Sequence, residues 1–495
     1  MMVSLVSLIP LILTLLLALF LRRTLVALGV GIVSGAILIN HFQPLTTAQY
    51  LLEKAVVQLY SDGQWQAWHL NVIIAMVMLG VITQLLARGN AVSQFGDWLH
   101  QRIHSQRQAR IGVVLLGWLV FIDGIFSCLA VGHVCQPLSE RYGISKPQLA
   151  YFVDSNASPL CALLPFSSWG PYVMALLASV SYIGMSPLAA FIDIAQMNFY
   201  AISTLVISAV VAWVGLGFST TAAALTPAVS GRATPWLLAA PMLTLLLGAM
   251  ALILYSGASQ IGGSDVTAWF SNADIGAAMR DASLIATLVT LVVLNINGRS
   301  MTLLLNDWFH GMKTMIFALS ILMLTWMIGA VIQDLGVASL LAGWADRFLA
   351  PQLLVAGLFL LCAVMAFATG SSWGTFAIMI PIGAEIAHTV EPSMMLAALS
   401  AVMAGSVFGD HCSPISDTSV LSATSSGCTP HEHVISQLPF ALVAAVSALI
   451  GFQVLNLGGG YLFALSLALI SAIAVLMLWQ WRRVALGDNQ SHSPS

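Results

Sequence analysis

Charge is what this sequence has least of. Only 7% of its 495 residues are Asp, Glu, Lys or Arg, where a soluble domain carries roughly 25%. A mean hydropathy of +0.94 points the same way, so water is not the main solvent for this chain. Lysine is scarcest, with Lys54, Lys146 and Lys313. None stands in G-x4-G-K-[S/T], so no phosphate-cradling loop is present to draw work from a nucleotide. With a net charge of −3 and no basic stripe, nucleic acid is not an expected partner. The cysteines (Cys128, Cys135, Cys161, Cys362, Cys412 and Cys428) lie mostly in apolar runs and read as small hydrophobes rather than disulfides. His411, Cys412, Cys428, His431 and His433 show neither C-x-x-C nor H-E-x-x-H spacing, which argues against zinc. A K⁺-filter sequence is missing too. No cofactor is expected, and ion gradients are left as the energy source.

What is present is one long apolar run after another, each able to cross about 30 Å of hydrocarbon as a helix. Candidate spans are 3–21, 24–40, 70–87, 111–135, 148–165, 169–185, 199–217, 235–255, 282–298, 311–333, 352–369, 371–389, 394–409, 434–456 and 459–481. Some of them are expected to enter and leave by one face. The fold class is therefore an all-α polytopic membrane protein with the lipid bilayer as its first partner. The first run lacks a basic leader and a cleavage site and reads as a retained span. Arg22–Arg23, the loop holding Arg102, Arg107 and Arg110, and Arg482–Arg483 are expected in the cytoplasm. That places the N-terminus outside, the C-terminus inside, and an odd number of crossings in a plasma (inner) membrane.

The chain divides into an N-terminal membrane half (1–217), a Thr/Ala/Pro/Ser-rich connector (218–234), a C-terminal membrane half (235–481) and a polar cytoplasmic tail (482–495), expected to be disordered. Weak internal symmetry spans the connector. F-I-D-G (121–124) and D-S-N-A-S-P (154–159) answer to F-A-T-G (367–370) and D-H-C-S-P (410–414), and S-S-W-G occurs at 167–170 and again at 371–374, though not at equivalent places in the two halves. Paired interruptions of apolar segments in two halves point to an inverted repeat with broken or re-entrant helices and a transport site between them.

One stretch runs against everything around it. G-D-H-C-S-P-I-S-D-T-S-V-L-S-A, residues 409–423, packs two carboxylates, a histidine and five hydroxyls around a proline. A carboxylate at the centre of a membrane helix costs roughly 2.5–3.5 kcal/mol on insertion scales and usually marks an ion or proton route. Pro414 is expected to break the helix, and irregular backbone at membrane depth is tolerated where it lines a cavity. Carboxylate, hydroxyl and carbonyl oxygens together replace the water shell of a hard cation, and protons compete for the same carboxylates. A site that holds either ion, but not both, exchanges them. The candidate cation- and proton-binding residues are Asp410, Asp417 and Asp154, with Ser413, Ser416, Thr418, Asn156 and Ser158 as neutral partners. Asp123, Ser371 and Ser372 are further candidates. Hydrogen-bonding glue between helices is the plainer role for any single hydroxyl, and pairing within the structure is an equal alternative for Asp123. Trp169 and Trp373 read as packing, and Glu385 and His388 as a solvated rim.

Three alternatives remain open on these residues. A Na⁺- or H⁺-coupled carrier of an organic anion, amino acid or drug would show a larger midplane cavity with a cationic or amide group for a carboxylate. An intramembrane aspartyl protease would bring Asp154 and Asp410 together over one proton. G-S-S-W-G (370–374) matches G-x-S-x-G, but that nucleophile motif needs an α/β sheet. An enzyme is thus not expected, and a homo-oligomer is an open partner.

G-D-H-C-S-P-I-S-D-T-S resembles the signature of the NhaC-type sodium/proton antiporter family, with Ser419 where the usual form has a second Thr. L-A-Y-F-V-D-S-N-A-S-P-L-C-A-L-L-P-F-S-S-W-G (149–170), G-M-K-T-M (311–315) and L-T-W-M-I-G (324–329) are similar to family stretches as well. F-I-D-G resembles a segment that often carries two adjacent acids, of which only Asp123 is kept before Gly124. The resemblance covers most of residues 70–456. It implies a secondary carrier of the wider ion-transporter superfamily, with inverted repeats and re-entrant hairpins, exchanging Na⁺ for H⁺.

Overall fold

Helix follows helix because a backbone in hydrocarbon must satisfy its own hydrogen bonds. The computed structural model describes residues 5–21, 23–61, 63–218, 234–261, 268–269, 272–336 and 351–490. Residues 219–233 of the connector (218–234) and the last five residues lie outside the described residues. In chain order the helices are α1 (Ile9–Leu21), α2 (Thr24–Ile39), α3 (Pro44–Val57), α4 (Ala67–Arg88), α5 (Ala91–His100), α6 (Gln106–Leu119), α7 (Gly124–Arg141), α8 (Lys146–Leu163), α9 (Trp169–Ala178), α10 (Pro187–Gln196) and α11 (Phe199–Val214). They continue as α12 (Trp236–Ile261), α13 (Ile275–Ile296), α14 (Met301–Thr314), α15 (Ile316–Asp334), α16 (Leu354–Thr369), α17 (Ser372–Val390), α18 (Met395–Cys412), α19 (Asp417–Ser426), α20 (Pro430–Asn456) and α21 (Tyr461–Gln490). A two-strand hairpin, Tyr60–Ser61 with Gln64–Trp65, precedes α4. Among the described residues, eight helices are long and apolar enough to cross a membrane, and α10–α11, bent by 52° at their break, reach that length and apolarity only as a pair. Helix α21 runs on to Gln490, so most of the tail expected to be disordered continues its backbone.

Two units of this series carry the interruptions. In the first, α6 and α7 begin and end on one face. Gln106 Nε2 donates to the Gly143 carbonyl at 3.1 Å, and the Tyr142 hydroxyl donates to the Ile103 carbonyl. The candidate span 111–135 is therefore a re-entrant pair with its tip at Val120–Asp123. Helix α8 leaves from the same face, breaks at 164–168 and continues as α9. Their 18 and 10 helical residues make roughly 40 Å of helix, enough to reach the other side. There Tyr182 hydrogen-bonds Glu385 at 3.2 Å and stacks on His388, near the end of α17.

The second unit starts from that opposite face. The Gln352 carbonyl, just before α16, accepts from Asn456 at the end of α20. Helices α16 and α17 meet at a tip, Gly370–Ser371, and α18–α19 is the broken span that returns across. Its far end, Gly427, packs on Gln136 and Lys146 of the first face. Each unit is thus a hairpin followed by a broken helix, entered from opposite sides: an inverted repeat. Pro414 falls in the second break as expected, whereas Pro159 is accommodated inside α8 and the first break falls after Leu163, at Pro165. Asp154 and Asp410 are consequently not at equivalent places. Asp154 sits mid-helix, and Asp410 lies in the last turn before its break.

The first face is rich in arginine. Arg110 is buried, donating from Nε to the Ala212 carbonyl at 2.8 Å, and Arg107 covers the Trp213 ring. Buried Asp307 is paired with both Arg88 and Arg299, which fixes the start of α14 beside the end of α4. Single cysteines report this topology directly. H104C and T424C are expected to react with an impermeant thiol reagent from one side of a sealed vesicle, and S181C and S393C from the other. Labelling of T424C together with S181C would refute the inverted repeat.

Candidate functional site

The four interruptions converge. Within the first unit, the Ser168 amide donates to the Ile122 carbonyl at 2.6 Å, tying break to hairpin tip. Within the second, the Ser413 hydroxyl donates to the Phe367 carbonyl at 2.8 Å. Gly370 turns the tip with φ +65°, and a Cβ there would meet the Ile415 carbonyl at 2.8 Å. Glycine meets both demands, a left-handed backbone and a close approach. Between units, the Trp169 and Trp373 rings pack edge to face, 6.0 Å apart, and the Tyr172 hydroxyl donates to the Trp373 carbonyl at 2.9 Å.

The duplicated S-S-W-G now has a role. Its second serine donates to a carboxylate of its own unit in both copies: Ser168 to Asp123 Oδ2 and Ser372 to Asp410 Oδ2, each at 2.8 Å. The parts are exchanged between units. In the first the hairpin tip brings the acid and the break the serine; in the second the hairpin brings the serine and the break the acid. Asp123 also caps α7, accepting from the Phe126 amide at 2.9 Å, and Ser371 caps α17 through the Gly374 amide. Helix N-termini carry partial positive charge, which favours such acidic caps.

Both carboxylates line one cavity of about 110 Å³, together with Asp417, Ser371, Ser372, Ser416, Thr418, Trp169 and Trp373. At about 30 Å³ per water, that is room for a cation with part of its hydration shell. Ser416 and Thr418 hydroxyls lie 3.2 Å apart, and Ser158, outside the lining, donates to Thr418 at 3.5 Å. The donor set of three carboxylates and five hydroxyls consists of hard oxygen ligands, the kind that bind hard cations. The cavity meets a second, of about 370 Å³, at Asp123, Ile125, Thr314 and Met315. Thr83 and Gln84 near the end of α4, Ser93 and His133 line that vestibule, on the arginine-rich side of the cavity.

The remaining candidates lie elsewhere. Ser413 is committed to its carbonyl, and Asn156 is held by Trp118 at 2.7 Å and Ser208 at 3.0 Å. Asp154 does not line the cavity. Fully buried, its Oδ2 accepts from Gln437 at 2.8 Å, His433 at 3.0 Å and Ser419 at 3.1 Å. The residues that sequence reasoning missed are Gln437, Gln84, His133 and the ring of Tyr200; His433 and His411 were weighed only as metal ligands. His433 and Gln437 stand four apart on one face of α20, a readable signal.

The sequence profile of the Na⁺/H⁺ antiporter family matches residues 160–457. The chain belongs to the Na⁺/H⁺ antiporter family. It is 33% identical over 490 residues to an uncharacterised protein of Haemophilus influenzae, covering 95% of this chain and 94% of that one. It is 31% identical over 153 residues to the malate-2H⁺/Na⁺-lactate antiporter of Bacillus subtilis, 30% of each chain. In fold it is similar to the YdaH transporter of Alcanivorax borkumensis, a structure described as having an unusual topology, with a TM-score of 0.54 at 15% identity over 83% of this chain and 88% of that one. The family is one of antiporters, so the chain is an integral membrane secondary transporter and not an enzyme. Asp154 and Asp410, which a protease would bring together, have separate partners.

Removing the hydroxyl from Ser168 or Ser372 leaves a buried carboxylate short of a donor, at a cost of about 1–3 kcal/mol. Each Ser→Ala variant is expected to melt several degrees below the parent in a thermal-shift assay, and each Ser→Thr variant to retain most of the difference. Parental melting of both alanine variants would show that the bridges carry no stability.

Proposed function

We propose that the chain exchanges Na⁺ for H⁺ across the plasma (inner) membrane, with the arginine-rich face and the C-terminus in the cytoplasm. One observation carries this reading: Asp123, Asp410 and Asp417 line a single small cavity where both broken spans and both hairpins meet. Carboxylates at close quarters at membrane depth repel one another unless a proton or a cation intervenes. Bound Na⁺ takes oxygens from Asp410, Asp417, Ser416 and Thr418, with Asp123 and the hairpin serines completing the wall. Loss of Na⁺ lets a proton neutralise the same group. Exposed to each side in turn, such a site exchanges the two ions. Arg102, Arg107 and Arg110 on the vestibule face support the orientation through the positive-inside rule.

A second reading is favoured by a different observation. The vestibule of about 370 Å³ is larger than a bare cation needs, and it presents the Gln84 amide and the His133 imidazole. Those groups suit the carboxylate of a small organic anion carried together with the coupling ion. The named antiporter of Bacillus subtilis is a precedent within reach of this sequence.

Proteoliposomes with an internal pH dye separate the readings. Wild-type protein is expected to move protons when Na⁺ is added to an imposed proton gradient, and D410N to lose at least about 100-fold of that rate, since the carboxylate itself carries the exchange. Proton movement that needs a small organic acid beside Na⁺ would select the second reading. Undiminished Na⁺-driven proton movement in D410N would remove Asp410 from the mechanism.

A further inference from the structure

Each S-S-W-G is followed two residues later by an aromatic ring: S-S-W-G-P-Y ends at Tyr172 and S-S-W-G-T-F at Phe376. The serines serve carboxylates, but the rings supply no oxygen to the cavity. The four rings form one cluster. Trp169 packs edge to face on Trp373 and on Phe376, with centroids 6.0 and 5.5 Å apart, and Tyr172 lies against Trp373 at 4.4 Å. The Tyr172 hydroxyl donates to the Trp373 carbonyl, so this link crosses from one unit to the other. Trp169 and Trp373 form a wall of the exchange cavity. Tyr172 and Phe376, fully buried, stand one helical turn further along α9 and α17.

Beyond them lies a pocket of about 180 Å³. Three helices run from the cavity to this pocket. Trp169 faces the cavity at the start of α9 and Ser179 faces the pocket at its end; Ala318 and Trp326 do the same on α15, and Trp373 and Pro381 on α17. At about 1.5 Å per residue, each interval is roughly 12–15 Å long. The pocket is on the face opposite the arginines, and its walls carry the Glu385 carboxylate, the Gln58 and Gln333 amides, the Ser181 hydroxyl and the rings of Trp326 and Tyr182. Among the described residues no Lys or Arg pairs with Glu385; Lys54 is taken by Asp334, next to Gln333. The Tyr182 hydroxyl is shared between the two Glu385 oxygens at 3.2 and 3.3 Å. An unpaired carboxylate beside aromatic faces attracts a cation. At about 30 Å³ per water, the pocket admits a cation that keeps its hydration shell, whereas the smaller central cavity requires part of that shell to be shed.

We propose that this pocket is a cation-capture site at the second mouth of the exchange cavity, and that Trp169, Tyr172, Trp373 and Phe376 are the plug between them. This rests on reading the cavity as the site of exchange. The plug joins the two units through ring contacts and one hydrogen bond, so a small movement of one unit against the other opens it with little to break. A captured cation then passes from Glu385 toward Asp410 and leaves water behind. Each copy of the duplicated motif thus supplies a serine for a carboxylate and two rings for the seal.

Impermeant methanethiosulfonates applied to the full-length protein in sealed proteoliposomes test this, with the parent's own cysteines as the blank. A330C, lining the pocket, is expected to react from the face opposite the arginines. It is expected to react about tenfold faster with a cationic reagent than with an anionic one, because a carboxylate in a cleft concentrates counter-ions, and E385Q to abolish that preference. A318C, lining the central cavity, is expected to react from the same face at least about tenfold faster once Y172A removes one ring of the plug and shifts the population toward the open state. Y172L carries this arm if Y172A does not fold. Reaction of A330C from the arginine-rich face, a charge preference that survives E385Q, or A318C labelling unchanged by the loss of Tyr172 would overturn the proposal. The labelling needs no transport. If it comes out as expected in a protein that moves no protons with any alkali cation, the exchange reading falls while the mouth and its plug stand.

Discussion

The structure depends on one constraint: a helix broken at membrane depth must find partners for the backbone and side-chain groups that the break exposes. Here four such places satisfy one another. Asp123 caps its hairpin helix and takes the Ser168 hydroxyl, and Asp410 takes the Ser372 hydroxyl. Gly370 allows the second tip to lie against the Ile415 carbonyl. Remove this mutual satisfaction and neither the re-entrant hairpins nor the broken spans have a reason to stop midway. The same groups that satisfy the breaks also line the cavity, so stability and the proposed ion binding share residues.

That sharing explains the inverted repeat in physical terms. A hairpin from one face and a broken span from the other meet end to end, and the second unit repeats this upside down. The acid–serine bridge is kept while its ends change places. Such an arrangement treats the two sides of the membrane nearly alike at its centre, which alternating access requires. The vestibule adjoins the cavity on its arginine-rich side.

Much of this was legible in the sequence. The apolar runs gave the helices, Pro414 gave the second break, and the density of oxygens in 409–423 gave Asp410, Asp417, Ser416 and Thr418 as cavity residues. Asp123, Ser371 and Ser372, named as further candidates, line the same cavity. What the sequence could not reveal was pairing across long separations. The matching of D-S-N-A-S-P with D-H-C-S-P placed Asp154 opposite Asp410, but a helix tolerates an internal proline when neighbours absorb the lost bond, as α8 does at Pro159. The first break moved to Pro165 and took Asp154 out of register. Asn156 looked like a neutral ligand and is instead a clamp on Trp118 and Ser208. Trp169 and Trp373 read as packing, and only the fold shows that the second serine of each S-S-W-G serves a carboxylate in its unit.

The central claim is that cation and proton compete for the carboxylates of one cavity, and equilibrium binding of ²²Na⁺ to purified protein across pH addresses it most directly. If one proton leaves for each Na⁺ bound, apparent affinity rises about tenfold per pH unit while the group is protonated, then levels off, and D410N loses saturable binding. Binding of the same strength at every pH, or saturable binding kept in D410N, would contradict the account.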